Sequence, residues 1–185
     1  MTSADFTIIS PMSARMIKST NCKTASVPVF TQYVENMAHI LTVAEKYAKE
    51  KEVKDEVMLN LRLAPDMFPF VRQVQTVSDN AKGCCARLAG IEVPSMPDTE
   101  KTIAELIVRL QKTVAFLKTI KPEQIDGAEN RKISIPAWKY ESTGQVYLLT
   151  SGLPNFFFHL VTAYDILRNN GVPVGKMDYL AGSKK

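Results

Sequence analysis

The sequence predicts an all-α protein, an antiparallel four-helix bundle with a small β-hairpin inserted before the last helix. Three segments repeat apolar residues at alternating intervals of three and four, which is the spacing of one helix face. A fourth segment near the C-terminus is apolar on nearly every side, and a stretch before it alternates like a strand. Three amphipathic helices and one mostly apolar helix are typical of a bundle.

The first long helix is predicted from about Ser26 to Lys51. Ser26 is a suitable N-cap, and Pro28 is tolerated in a first turn. The buried stripe consists of Val27, Phe30, Val34, Met37, Leu41, Ala44 and Ala48.

The second helix is predicted from about Asp66 to Leu88, with Gly90 as its C-cap. The run Leu59–Pro65 before it alternates apolar residues, which favours a short extended piece across one end of the bundle. The buried stripe consists of Phe70, Val74, Val77, Ala81, Cys84 and Leu88.

The third helix is predicted to follow Pro97, with Asp98 or Thr99 as its N-cap and acidic residues in its first turn. Pro122 ends it. The buried stripe consists of Ile103, Leu106, Leu110, Val114 and Leu117.

Residues 123–144 change character. Alternation in the runs Ile133–Ile135 and Trp138–Tyr140 predicts a hairpin or an ordered lid. The fourth helix begins between Gly144 and Pro154 and ends at residues 169–171. It is predicted to be the most buried of the four.

The bulk composition indicates one domain. A chain of 185 residues with 45% hydrophobic content can bury one substantial core. We divide it into an extension at 1–24, a bundle domain at 25–180 and a tail at 181–185. The Ser-, Thr- and Lys-rich extension is compatible with a weak organelle-targeting segment, although we expect a poorly packed extension.

Charge and cysteine content exclude several classes of function. The 23 basic and 19 acidic residues are spread along the chain, without the basic stripe that nucleic-acid binding uses. No apolar run approaches the roughly 20 residues of a membrane span. The three cysteines, Cys22, Cys84 and Cys85, are an odd number with an adjacent pair, which favours reduced packing residues and a cytoplasmic protein.

Asn155 and His159 are the most informative residues. They lie one helical turn apart on an otherwise apolar helix, so they are either a satisfied polar pair or the floor of a site. Gln73 lies along the core stripe of the second helix, and a buried amide needs polar partners. By contrast, Gln75 and Asp79 share another face and are expected to contact solvent, and His39 is expected at the surface or an interface.

The chain resembles the DinB/YfiT-like superfamily of four-helix-bundle proteins, and more closely a branch catalogued only as a domain of unknown function. The resemblance covers about residues 25–180. It is carried by the runs Ala25–Phe30, Leu61–Pro69 with Arg72–Gln75, Leu153–His159 with Ala163–Tyr164, and Leu167–Pro173.

The resemblance implies a location for the site. Typical superfamily members hold nickel or zinc with one histidine from the second helix and a His-x-x-x-His pair on the last. Counting back from Gly171 aligns that pair with Asn155 and His159, and Gln73, with Gln75 as the fallback, takes the remaining position. Amides are weak ligands for these metals. The comparison therefore implies a residual polar pocket that is metal-free or binds a divalent metal weakly.

Three functions follow as expectations. The first is an enzyme acting on a small molecule, with His159 as general acid or base, Gln73 and Asn155 orienting the substrate, and Trp138 and Tyr140 closing the pocket. The second is a non-catalytic small-molecule-binding or stress-associated protein. The third is a structural homodimer in which Gln73, Asn155 and His159 form a buried polar network.

Overall fold

The computed structural model of the chain describes residues 21–136 and 139–182 and confirms the predicted architecture. The helical elements in chain order are α1 (Cys22–Ala25), α2 (Val27–Glu50), α3 (Asp55–Asn60), α4 (Phe70–Ala89), α5 (Ile103–Thr119), α6 (Pro122–Ile125), a 3-10 turn (Ala128–Asn130), α7 (Gly144–Tyr147), a π-helical segment (Leu148–Gly152), α8 (Leu153–Asn169) and α9 (Lys176–Ala181). The strands are β1 (Lys132–Ile135) and β2 (Tyr140–Thr143).

The bundle consists of α2, α4, α5 and α8. Helix α2 packs chiefly against α5, and α4 packs against α8 and α5. The core between them is apolar, and Phe30 meets Phe156 edge to face with ring centroids 4.8 Å apart. Cys22, which precedes the predicted bundle domain, is also fully buried in this core.

The helix boundaries differ from the predictions where prolines and caps decide them. Helix α4 begins at Phe70 and not at Asp66, because Pro69 restricts the residue before it to extended conformations. Thr102, and not Asp98 or Thr99, caps α5: its side chain accepts from the N–H of Glu105 in a capping box. Leu59 was expected to be extended but lies in α3.

The predicted end of α4 and the predicted hairpin are confirmed. Gly90 follows α4 in the left-handed conformation, with φ of 69°, and its N–H bonds back to the carbonyl of Arg87. The hairpin pairs antiparallel, with Lys132 opposite Thr143 and Ile135 opposite Tyr140, and it buries Ile133 and Ile135.

The continuous helical segment Gly144–Asn169 is long and apolar enough to cross a membrane by length and composition alone, with a mean hydropathy of 1.2 over an 18-residue window. The prediction that no run approaches that length is therefore wrong for this segment. Of that window, 44% is buried inside the protein, and the core helix of a bundle can satisfy the same criteria. The absence of a membrane partner and the cytoplasmic location stay predictions.

Candidate functional site

Gln73 and His159 meet between α4 and α8. Oε1 of Gln73 lies 2.7 Å from Nδ1 of His159, and both side chains are buried. Each comes from the core stripe of its own helix, which directs it toward the facing helix. The structure thus brings together two of the three residues that the sequence singled out.

The hydrogen bonds of Gln73 determine which nitrogen of His159 carries the proton. Nε2 of Gln73 donates to the carbonyl of Phe68 over 3.1 Å, which turns Oε1 toward the imidazole. A carbonyl oxygen only accepts, so Nδ1 of His159 is the donor and Nε2 of the neutral ring is an acceptor. Nε2 of His159 has no hydrogen-bond partner among the described residues. It is also not fully buried, so it keeps contact with solvent.

Two half-exposed phenylalanines flank this imidazole. The ring of Phe68 lies nearly parallel to it, at 17° and 6.4 Å between centroids, and Phe158 meets it edge-on at 5.1 Å. Phe68 is 52% exposed and Phe158 is 56% exposed. The guanidinium of Arg72 lies 5.8 Å from the centre of the Phe68 ring. An apolar rim therefore surrounds one polar nitrogen.

Burial lowers the pKa of His159, and the positive charge of Arg72 lowers it further. Both effects disfavour the imidazolium, because burial removes hydration and a neighbouring cation repels it. The imidazole is thereby held in its neutral, proton-accepting form near neutral pH.

Asn155 forms a second contact between the same helices. Its Nδ2 donates to Oδ1 of Asn80 over 3.0 Å, and Nδ2 of Asn80 is buried without a partner within the described residues. The order of the two pairs, Gln73 with His159 and Asn80 with Asn155, shows that α4 and α8 run antiparallel. Asn80 was missed, although it lies two turns from Gln73 on one helix face, and that spacing is a usable signal.

The residues present do not fit a nickel or zinc ion. Gln73 and His159 face each other as acceptor and donor, so the Oε1 lone pair is directed at a proton, and Asn155 presents its NH2 group to Asn80. Within residues 21–136 and 139–182, no group of three or more His, Cys, Asp or Glu side chains could hold a metal ion. Nε2 of His159 is a single free ligand, and Gln73 could add a second only by giving up its hydrogen bond to Nδ1.

Gln75, the fallback ligand, lies on the other side of α4. Two residues of helix rotate a side chain by about 200°, so Gln75 faces α5 while Gln73 faces α8. Gln75 is 5% exposed and its Nε2 donates to Glu100 over 2.8 Å. The expectation that Gln75 contacts solvent is wrong, because Glu100 of the loop between α4 and α5 covers it.

Arg109 organises this opposite side of α4. Its side chain is 2% exposed and forms ion pairs with Asp79 at 2.8 Å, Asp98 at 2.9 Å and Glu100 at 3.0 Å. Asp79, expected in solvent, is therefore held by an arginine. Asp98 also pairs with Arg72, so a single carboxylate joins the buried Arg109 to the arginine beside His159. Helical periodicity could not predict this ion network, because Arg109 is a charged residue that interrupts the apolar face of α5.

The remaining predicted residues lie elsewhere. Tyr140 packs against Tyr147, with ring centroids 6.0 Å apart, and Tyr147 precedes His159 by 12 residues, or roughly 18 Å of helix. The structure does not place Tyr140 beside Gln73, and Trp138 lies outside the described residues. His39, expected at the surface or an interface, lies 3.1 Å from Asp178 and thus bonds α2 to α9.

The cysteines are buried and reduced, in agreement with a packing role. Burial raises the pKa of Cys84 to about 12, which leaves its thiol protonated and unreactive at neutral pH. Cys84 packs against Gly152 in the π-helical segment.

The fold and the site define a class of protein: a four-helix bundle whose polar site lies between its second and last long helices. The family described as "Domain of unknown function (DUF1993)" matches residues 23–180, and the chain belongs to this family. It is also similar to the crystal structure of a DinB family member protein from Shewanella denitrificans, with a TM-score of 0.82 and 39% identity over 86% of this chain and 91% of that chain. The chain is therefore DinB-like. No curated protein matches it.

Proposed function

We propose that the protein is an enzyme that acts on a small molecule at the rim of His159, with Nε2 of His159 as the proton acceptor. The observation that carries this proposal is the hydrogen bond between Gln73 and Nδ1, which leaves Nε2 unprotonated and directed to solvent. Gln73 is a positioning residue, because it acts on the substrate only through the imidazole. A histidine with a lowered pKa is available as a base near neutral pH.

The side chains around His159 favour a substrate with both a planar or apolar part and a polar part. Phe68 and Phe158 offer exposed ring surface on two sides of the imidazole, which suits a planar or apolar group. Asn155 lies one turn away and could orient a polar substituent. The proposed substrate is therefore a small molecule with an acidic proton next to an apolar portion.

Selective modification of His159 tests the accessibility of Nε2. The chain has only two histidines, so His39→Gln leaves His159 as the only imidazole that diethyl pyrocarbonate can acylate, and hydroxylamine reverses that adduct but not the adducts of lysine amines. We expect peptide mass spectrometry to find a hydroxylamine-reversible carbethoxy group on His159 of the folded protein, formed at a rate that falls as His159 becomes protonated. Gln73→Leu should change the pH dependence of that rate. A native protein that resists the reagent would contradict the proposal.

Catalysis and simple binding separate in a second experiment. An activity screen against small esters, amides and thiol acceptors compares the wild type with His159→Gln and with Phe158→Ser. Turnover that is lost in His159→Gln while the melting temperature is kept supports an enzyme. Saturable binding to the wild type without turnover would instead support a non-catalytic binding protein.

A second candidate function is a structural one, and the Asn155–Asn80 pair favours it. Two hydrogen-bonded pairs between α4 and α8 can specify how these helices align without any ligand. The exposed side chains of Phe158 and Val161 on α8 would then pack against a second copy of the chain in a homodimer. Sedimentation analysis tests this: a dimer that Phe158→Ser dissociates supports it, and a monomer at all concentrations contradicts it.

Metal binding is tested by calorimetric titration of the purified protein with nickel and with zinc. We expect no tight site, because Oε1 of Gln73 is engaged by Nδ1 of His159, and Nε2 of His159 alone is a single ligand. Sub-micromolar binding that His159→Ala abolishes would overturn this expectation.

A further inference from the structure

The polar atoms that remain available around His159 on α8 are hydrogen-bond acceptors. Nδ2 of Asn155 donates to Oδ1 of Asn80, which leaves Oδ1 of Asn155 without a donor among the described residues, and this oxygen is not fully buried. Nε2 of His159 is left over in the same way. The two residues lie one helical turn apart, with Cβ atoms roughly 5–6 Å from each other. A molecule that rests on this turn of α8 therefore meets two acceptors.

Two neighbouring threonines add acceptors and no donors. Thr76 on α4 and Thr162 on α8 each donate the hydroxyl proton over 2.7 Å to the backbone carbonyl four residues before them. A carbonyl oxygen only accepts, so each hydroxyl oxygen keeps only its capacity to accept. Thr76 lies within one turn of Gln73, and Thr162 lies within one turn of His159. Thr76, Asn155, His159 and Thr162 together form what we call the acceptor strip.

The charges near the acceptor strip favour an uncharged ligand. Arg72 acts on His159, and its guanidinium is already paired with the carboxylate of Asp98. Within the described part of the chain, none of the four strip residues contacts an acidic side chain. A cationic ligand would be repelled by Arg72 without a carboxylate to compensate it. An anionic ligand would face lone pairs and would have to compete with Asp98 for Arg72.

Aromatic surface lies next to the acceptor strip. Phe158, between Asn155 and His159 along α8, is exposed over more than half of its surface and meets the imidazole edge-on. Phe68 stacks on the same imidazole and is also about half exposed. Exposed aromatic rings pack favourably against other planar rings. The strip and the two phenylalanines therefore suit a molecule that joins donor groups to a planar apolar body.

We propose that the acceptor strip binds an uncharged aromatic molecule that carries two hydrogen-bond donors. One O–H or N–H group donates to Nε2 of His159, the second donates to Oδ1 of Asn155, and the ring packs against Phe158. The assignment rests on the proposed function, because it names the class of molecule that reaches the same imidazole. It makes Asn155 the residue that selects for the second donor.

Three probes of similar shape test the requirement for donors. Resorcinol, 3-methoxyphenol and 1,3-dimethoxybenzene carry two, one and no O–H groups on the same ring, and their apolar surface grows in that order. Amide-resolved NMR titration of the full chain should show saturable shifts near residues 72–80 and 155–162, with an affinity that falls roughly tenfold for each lost donor. An affinity that stays equal or rises with methylation, or no saturable shift with resorcinol, would overturn the proposal.

Two charged probes test the requirement for an uncharged ligand. 3-Hydroxybenzoate and 3-hydroxybenzylamine replace one hydroxyl of resorcinol by a carboxylate and by an aminomethyl group, which is an ammonium at neutral pH. Both should bind several-fold more weakly than resorcinol. Equal or tighter binding of either probe would contradict this part of the proposal.

Substitutions at Asn155 connect the preference to one acceptor. Asn155→Leu removes that acceptor with little change in volume, so resorcinol should lose its advantage over 3-methoxyphenol. Asn155→Asp keeps an oxygen at the same place and should retain the advantage, and its loss there would contradict the assignment. Gln32→Leu removes an exposed amide on α2 and is the control that should leave the order of the probes unchanged. An advantage that survives in Asn155→Leu would show that the second donor binds elsewhere.

The outcome can be separated from that of the proposed function. Carbethoxylation of His159 depends on Nε2 alone. A protein that reacts with diethyl pyrocarbonate but binds the three probes without preference retains the proposed base and lacks the proposed ligand class. A protein that prefers resorcinol but turns over no substrate retains the ligand class and is not the proposed enzyme.

Discussion

His159 presents Nδ1 to the amide oxygen of Gln73 over 2.7 Å, so a residue of α4 sets the protonation of a ring on α8. The amide is itself oriented by its bond to the carbonyl of Phe68, at the loop just before α4. The Phe68 carbonyl, the Gln73 amide and the His159 imidazole thus form a series of hydrogen bonds that ends at Nε2.

Folding stability should depend on pH through His159. Because burial lowers its pKa in the folded state, the unfolded chain binds more protons in the interval below the ordinary value of about 6.5. Stability contributed by neutral His159 is therefore complete above that value and is lost as the pH falls from it through the folded pKa. Urea unfolding at several pH values should show this slope in His39→Gln and not in His159→Gln. The same slope in both variants would contradict it.

Asp98→Asn should lower the pKa of His159 further. Asp98 pairs with Arg72, whose positive charge already disfavours the imidazolium, so removing the carboxylate leaves that charge less compensated. Titration of the His159 ring protons by NMR measures the shift directly. Glu92→Gln, at an exposed and unpaired acid of the same loop, is the control and should change little. A pKa that rises in Asp98→Asn would show that Arg72 does not act on this ring.

Arg109→Met should destabilise the fold by about 3 kcal/mol, the lower part of the range for breaking a buried ion pair. Glu100, with a side chain 11% exposed, loses its cation and cannot be rehydrated freely, while Asp79 and Asp98 are exposed enough to regain water. Lys118→Met removes a cation from an exposed pair with Glu35 and should cost less than about 1 kcal/mol. Chemical denaturation compares the two. Equal losses would mean that Arg109 is not the centre of the network.

Gly152→Ala should destabilise the protein by about 1–3 kcal/mol, because a Cβ there would lie 2.6 Å from Sγ of Cys84. Cys84→Ala removes that sulfur, so the double variant should recover part of the loss beyond additivity. Gly83→Ala is the matched control: its Cβ meets only the far end of the long Arg87 side chain, which can shift at little cost, so it should be nearly neutral. Strictly additive losses would rule out the contact as the cause.

Most of the fold was predictable because it depends on local periodicity. The stripes of α2, α4 and α5 follow from three- and four-residue spacing, and Gly90 and Pro122 mark ends that any packing must respect. The boundaries near Asp66 and Asp98 were predicted wrongly. In each case a neighbouring residue competed for the same role, with Pro69 delaying α4 and Thr102 capping α5 in place of Asp98.

The candidate site was also predictable only in part. Spacing and resemblance led to Gln73 and His159, because each lies on the core side of its own helix. Phe68, Asn80 and Arg72 join them only through the packing of α4 against α8 and the path of the preceding loop, which no single segment encodes. Gln75 was misjudged because its cover, Glu100, comes from 25 residues away.

The sequence by itself determined the four helices, the hairpin and the two polar residues at the centre of the site, since these depend on side-chain periodicity and on glycine and proline stereochemistry. Only the tertiary structure decided that Gln73 engages Nδ1 of His159 as an acceptor and that Arg109 collects three carboxylates. Those relationships depend on which faces of separate helices meet, and the free energy of burying polar groups is settled by their partners across the bundle.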